Sequence, residues 1–187
     1  SQGGGEGLQC GAGLGEAPAK VGFRVYGISY RLGEPSAHLG REVTDMADLR
    51  KIAVGALLHD VGKRFIPATI LNKVDRVTPE EREAIESHPT RGYAELCPTN
   101  ELDFGQLMMV YQHHERVDGT GYPVRVGKDE IHPWARLLAV VNAFDALTAR
   151  RPHRHPATPE SVLAYQRQHA GTRFDGAFVE CWNSAMT

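Results

Sequence analysis

The chain has 187 residues, 41% hydrophobic and 24% charged, with 21 lysines and arginines against 23 aspartates and glutamates for a formal net charge of −2. This is the composition of one soluble domain able to bury a core, and the near-neutral balance argues against duplex nucleic acid, which calls for a basic excess or stripe. No window reaches the roughly 18 consecutive apolar residues of a membrane-crossing helix and no signal peptide is recognisable, so a cytoplasmic protein without a membrane segment is expected.

Residues 1–15 hold seven glycines, too little apolar surface to offset the entropy of ordering them, and residues 1–20 are expected to be a flexible tail or linker before a domain over 21–187. Val21, Val25, Ile28 and Leu32 repeat at helical spacing and predict a short helix closed by Gly33. Leu49, Ile52, Ala53, Ala56 and Leu57 predict a buried helix capped by Thr44 or Asp45 and ending at His59-Asp60. Thr78-Pro79-Glu80-Glu81 reads as a capping box with proline in the first turn, and His88-Pro89 reads as the stop of that helix.

Leu107, Val110, Tyr111 and His114 predict another helix, and Asp118-Gly119-Thr120-Gly121-Tyr122-Pro123 a loop after it. Pro133 opens a core helix carrying Leu137, Val140, Val141, Phe144 and Leu147 to about Thr148. Thr158-Pro159-Glu160 opens the next, closed by Gly171, and Phe178, Val179 and Trp182 mark a last short one. Period-two alternation is nowhere convincing. The expected fold is all-α, a compact bundle of about six to eight helices. Cys10, Cys97 and Cys181 stand far apart and read as free thiols.

His59, His88, His113 and His114 all fall at or near predicted helix ends, spaced by 29, 25 and 1 residues. A lone histidine is more often a core or surface residue than a ligand. Helix ends converging on one cavity would nevertheless make a metal site, and nitrogen donors beside the Asp60 carboxylate suit iron, manganese or zinc.

Leu58-His59-Asp60-Val61-Gly62-Lys63, Ile66-Pro67, Ile70-Leu71-Asn72-Lys73, Thr78-Pro79-Glu80-Glu81 and His88-Pro89 resemble, in that order, the HD superfamily of metal-dependent phosphohydrolases. His113-His114-Glu115-Arg116-Val117-Asp118-Gly119-Thr120-Gly121-Tyr122-Pro123 resembles the signature of its HD-GYP subfamily, whose members hydrolyse cyclic di-GMP. The blocks around Ala135-Arg136-Leu137, Phe144-Asp145-Ala146-Leu147, Arg151-Pro152 and Phe174-Asp175 follow in the family's order, so the resemblance covers roughly residues 45–183.

The resemblance implies an HD-domain-like fold and one to three divalent ions per chain, iron or manganese. His59 and Asp60 would be ligands with Asp60 bridging, and His88, His113 and His114 would complete the neighbouring shell. Lys63 would stabilise the phosphate or protonate the leaving oxygen, making Lys63 and Asp60 the catalytic pair. Gly121, Tyr122 and Pro123 would lie beside the centre with the Tyr122 ring toward the nucleotide, and Arg151 and Arg154 would grip phosphates.

Two positions depart from the family pattern. Asn142 stands where a metal-binding aspartate is expected, and an amide oxygen coordinates without bringing negative charge. The upstream histidine, usual about thirty residues before the His-Asp pair, is missing from the helix around Val21 to Gly33; Glu34 and His38 reproduce the family's Glu-x-x-x-His spacing, but His38 is only 21 residues before His59. One unbroken helix would hold His38 and His59 ~30 Å apart, so a turn near Thr44 is required for His38 to be a ligand.

The leading reading is a phosphodiesterase converting cyclic di-GMP to pGpG or GMP. A second is a degenerate domain that binds cyclic di-GMP or a protein partner in signalling without hydrolysing it, and a third is a phosphohydrolase of another nucleotide. A receiver or sensor domain, or a diguanylate-cyclase-type protein, is the partner implied at the level of the family. His132, His153, His155 and His169 match no ligand position and are expected to be structural or solvent-facing.

Overall fold

The computed structural model describes residues 46–150 and 155–186. The Gly-rich tail, the helix predicted from Val21, Cys10, His38, the cap at Thr44 or Asp45, Arg151, His153 and Arg154 lie outside the described residues. The elements are α1 (Met46–Leu58), α2 (Ala68–Leu71), α3 (Pro79–Glu86), α4 (His88–Leu96), α5 (Phe104–Gln112), α6 (Pro133–Thr148), α7 (Pro159–Gln168) and α8 (Gly176–Met186). Short 3-10 turns span Val61–Phe65, Cys97–Thr99 and Lys128–Glu130. Among the described residues there is no strand, only two isolated bridges, so the all-α expectation holds, with seven helices of eight residues or more.

Local chemistry explains where these helices start. Thr78 Oγ1 accepts from the Glu81 amide at 3.3 Å while the Glu81 carboxylate accepts from the Thr78 amide at 2.7 Å, the expected capping box of α3. Asp103 and Gln106 make the same reciprocal pair at α5. Thr158 caps α7, and His132 caps α6 by accepting the Trp134 amide on Nδ1 at 3.2 Å. His132 thus has the structural role expected of it, as does His169, whose ring bonds the Tyr165 carbonyl, and His155 is exposed.

The helix opened at Pro79 ends at Glu86, just before His88-Pro89 as expected, and His88-Pro89 also opens α4, because proline is tolerated in a first turn whose amides have no partner in any case. One expectation is corrected. Leu57 does not belong to the buried stripe of α1: Ile52, Ala53 and Ala56 are buried, but Leu57 is 58% exposed. It stands about 100° around the axis from Ala56, outside the buried stripe.

Helix α6 is the centre of the core. Its Leu138, Val140, Val141 and Phe144 are buried against Met109 of α5, Val162 and Leu163 of α7, and Phe178, Val179 and Trp182 of α8. The Trp182 and Phe144 rings meet edge to face at 5.3 Å. Buried Gln166 donates to the Val140 carbonyl at 2.8 Å, so a polar side chain crosses the α6–α7 seam already satisfied. On the other side of α5, the Ile52–Ala56 stripe of α1 and the small residues of α4 pack closely, and the three helices bring the end of α1, the start of α4 and the end of α5 together.

Candidate metal centre

At that meeting point stand His59 and Asp60 after α1, His88 opening α4, and His113 and His114 closing α5. His59, His88 and His113 are each bonded through Nδ1 to a carbonyl one turn back: Ala56 at 2.7 Å, Ile85 at 2.7 Å and Val110 at 3.0 Å. A carbonyl oxygen only accepts, so each Nδ1 carries the hydrogen and each Nε2 presents a bare lone pair. Helix geometry therefore sets the tautomer of all three rings and aims them inward.

The three Nε2 atoms surround the Asp60 carboxylate. Asp60 Oδ1 lies 3.2 Å from His88 Nε2 and 3.6 Å from His113 Nε2, while Oδ2 lies 3.3 Å from His59 Nε2 and 2.5 Å from Lys63 Nζ. The two oxygens thus face two different sets of donors, the arrangement a bridging carboxylate needs. Asp60, His88, His113 and His114 offer ligand atoms all within 4.8 Å of one another. The His114 ring is stacked on Tyr122 at 4.7 Å and 21°.

This donor set fits a divalent cation. His88 and His113 bring Nε2 atoms to 3.2 Å although both carry lone pairs there, an approach that is repulsive unless a positive charge is shared between them. His59 Nε2 and Asp60 Oδ1 are buried without a hydrogen-bond partner, the mark of groups meant for something other than protein. Burial pushes His113 down to about 4 and lowers His114 as well, so both rings are neutral and able to ligate at pH 7.

Beside the cluster opens a cavity of about 560 Å³, whose walls include His113, His114, Gly121, Tyr122 and Asn142. Burial pushes the Tyr122 phenol up, and the charges of Glu86 and Asp60 add to it, so its hydroxyl stays protonated as a donor. Asn142, on α6, shares the cavity wall with His113 and His114. Gly121 is there because no side chain fits: a Cβ would stand 2.4 Å from the Arg116 nitrogen and 2.5 Å from Glu115 Cα. Pro123 follows it through a cis peptide bond with Tyr122.

The residue reasoning from sequence passed over is Glu115. It is 3% exposed, and its carboxylate accepts from the Val124 amide at 2.6 Å and the Arg125 amide at 3.1 Å, fastening the Gly-Tyr-Pro loop to the end of α5. A carboxylate directly before a loop rich in free amides was the available signal. Glu115→Ala leaves both amides without an acceptor and is expected to destabilise the domain by about 1.5–3 kcal/mol. Thermal melting would register this as a loss of about 4–10 °C. Arg82, Arg116, Arg125 and Arg173 also line the cavity, and their separate places in the chain offered no such signal.

The HD domain family matches residues 28–178 of the chain. The chain belongs to the HD domain family. Among relatives, the cyclic di-GMP phosphodiesterase response regulator RpfG of Xanthomonas campestris pv. campestris is 36% identical over 166 residues, covering 82% of this chain and 44% of that protein. The 3'3'-cGAMP-specific phosphodiesterase 3 of Vibrio cholerae is 36% identical over 121 residues, 64% of this chain and 26% of that protein. Among solved structures, Bd1817, an HDG"Y"P protein of Bdellovibrio bacteriovorus, superposes with a TM-score of 0.69 at 22% identity, covering 91% of this chain and 51% of that one. The expected HD family therefore holds, and so does the all-α HD fold. The chain spans less than half the length of either curated relative. An HD domain implies divalent metal binding, in agreement with the donor set. No helix among the described residues is long and apolar enough to cross a membrane.

Proposed function

We propose that this HD domain is a metal-dependent phosphodiesterase that hydrolyses cyclic di-GMP to pGpG or GMP, with iron or manganese as its ion. The observation that carries the reading is the Asp60 carboxylate held between the Nε2 atoms of His88 and His113 on one side and of His59 on the other, beside a cavity that His113 and His114 line and that is large enough for a nucleotide. His59, Asp60, His88, His113 and His114 would hold the metal, with Asn142 as a neutral neighbour on the cavity wall. When bound, divalent ions neutralise charge developing on phosphate oxygens and make water more acidic.

The chain's own side chains do the remaining work. Lys63 Nζ, 2.5 Å from Asp60 Oδ2 and 39% exposed, holds a proton and a positive charge at the edge of the cluster, where it serves the phosphate or the departing oxygen. Tyr122 offers the hydroxyl and the ring face not covered by His114. Gly121 and Pro123 set the loop that carries it.

Purified protein supplied anaerobically with Fe(II), or with Mn(II), and given cyclic di-GMP is expected to release the linear dinucleotide on chromatography. Binding without turnover under both ions would instead support the second reading, a domain that senses the nucleotide without cleaving it. Asn142 is the observation behind that alternative, since its amide leaves one charge fewer beside the cations. If Asn142 limits the centre, Asn142→Asp raises metal content and turnover by about tenfold, the scale on which residues around a metal act. Unchanged metal content and turnover would mean that the amide serves as well as a carboxylate.

A further inference from the structure

The cavity beside the metal centre carries a second feature, and what it binds rests on the reading of that cavity as a nucleotide site. Four arginines reach it from three parts of the chain: Arg82 on α3, Arg116 and Arg125 in the loop after α5, and Arg173 after α7. Arg82 lies 3.6 Å from Glu86 on its own helix. The other three form no salt bridge among the described residues: Arg116 donates to the Thr120 hydroxyl at 3.4 Å, Arg173 to the Tyr165 hydroxyl at 3.0 Å, and the Arg125 guanidinium has no hydrogen bond. The other lining carboxylate, Glu115, is spent on loop amides.

Asp118 faces Arg116 electrostatically, through the Thr120 hydroxyl that both contact, whereas Arg125 and Arg173 have no carboxylate beside them; guanidiniums converging on a concave wall repel one another and attract an anion, and their planar forks match phosphate oxygens. Arg125 adds an independent sign. Its φ is +66°, in the left-handed region that disfavours every side chain larger than glycine, and its amide is clamped by buried Glu115. The loop geometry asks for glycine there, yet an arginine stands at the cavity with its backbone held fast.

We propose that Arg116, Arg125 and Arg173 form an anion subsite that takes the second phosphate of a cyclic dinucleotide while the first lies at the His-Asp cluster. A cyclic mononucleotide has one phosphate and cannot fill both places, so the subsite selects dinucleotides.

The test uses the full chain with Mn(II) and the double variant Arg125→Gln/Arg173→Gln. Arg50→Gln, an exposed position on α1 away from the cavity lining, controls for overall charge. Two substrates are compared, cyclic di-GMP and bis(p-nitrophenyl) phosphate, a diester with a single phosphate. The double variant is expected to raise KM for cyclic di-GMP by about 30-fold or more, and KM for the single diester by less than about threefold, since each charge-assisted contact is worth about tenfold. Equal rises for both substrates, no rise for cyclic di-GMP, or the same rise in Arg50→Gln would overturn the subsite.

Should the protein cleave neither substrate, the phosphodiesterase reading fails, and equilibrium binding of cyclic di-GMP still decides the subsite. A loss of affinity of about tenfold or more in the double variant supports it, and equal affinity overturns it. Arg125→Gly supplies a readout of opposite sign, because glycine relieves the backbone. Its melting temperature is expected to hold or rise by up to about 3 °C while KM for cyclic di-GMP rises. A variant that loses stability together with affinity would make Arg125 structural and remove it from the subsite.

Discussion

Asp60→Ala is expected to lower turnover of cyclic di-GMP by on the order of 10³-fold and to strip the protein of metal, because several kcal/mol of charge stabilisation by the cation depend on it. Asp60 is the one carboxylate among the clustered donors of the described site, and its two oxygens face His88 and His113 on one side, His59 and Lys63 on the other. Without it, only imidazoles remain, with no anionic charge to balance a dication. The fold should persist, since the three histidine rings keep their bonds to Ala56, Ile85 and Val110 carbonyls, and far-UV circular dichroism should be unchanged. Elemental analysis is the deciding measurement. A variant that keeps wild-type metal content would move the centre elsewhere.

Gly62→Ala is expected to be nearly as damaging by another route. A Cβ on Gly62 would lie 1.9 Å from the His88 carbonyl oxygen and 2.6 Å from the Gly92 nitrogen, both backbone atoms that no rotamer change can move aside. The Val61–Phe65 turn must then part from α4, which costs about 3 kcal/mol, the upper end for an overpacked core, and a fall in melting temperature of about 6–12 °C. The same displacement carries Asp60, two residues earlier, away from His88 Nε2, so metal content should fall with stability. Gly127→Ala is the control: nothing lies within 4 Å of its Cβ, and a shift below about 0.5 kcal/mol is expected.

Much of the helical frame was legible because helix starts and buried faces are written locally. The Thr78-Glu81 capping box, Pro133 and Pro159 in first turns, and the apolar face of α6 all stand as read. His88-Pro89 marked the end of α3 as read, but a proline also suits a first turn, and that α4 starts at once from His88 was not legible. Leu57 was placed in the core because periodicity reports a stripe but not its width.

The order of His59-Asp60, His88, His113-His114 and the Gly-Tyr-Pro loop was enough, by resemblance, to name the family and the residues to watch. Chain order carries no distances, however. That His59, His88 and His113 each give the Nδ1 hydrogen to the turn behind, that the two Asp60 oxygens face different donors, that Glu115 ties down the loop, and that arginines from α3, the loop after α5 and the segment after α7 line one cavity were decided only by the tertiary structure. The physical reason is that these relations join side chains far apart in sequence, brought together when the core around α6 is buried, and no local preference of the chain encodes them.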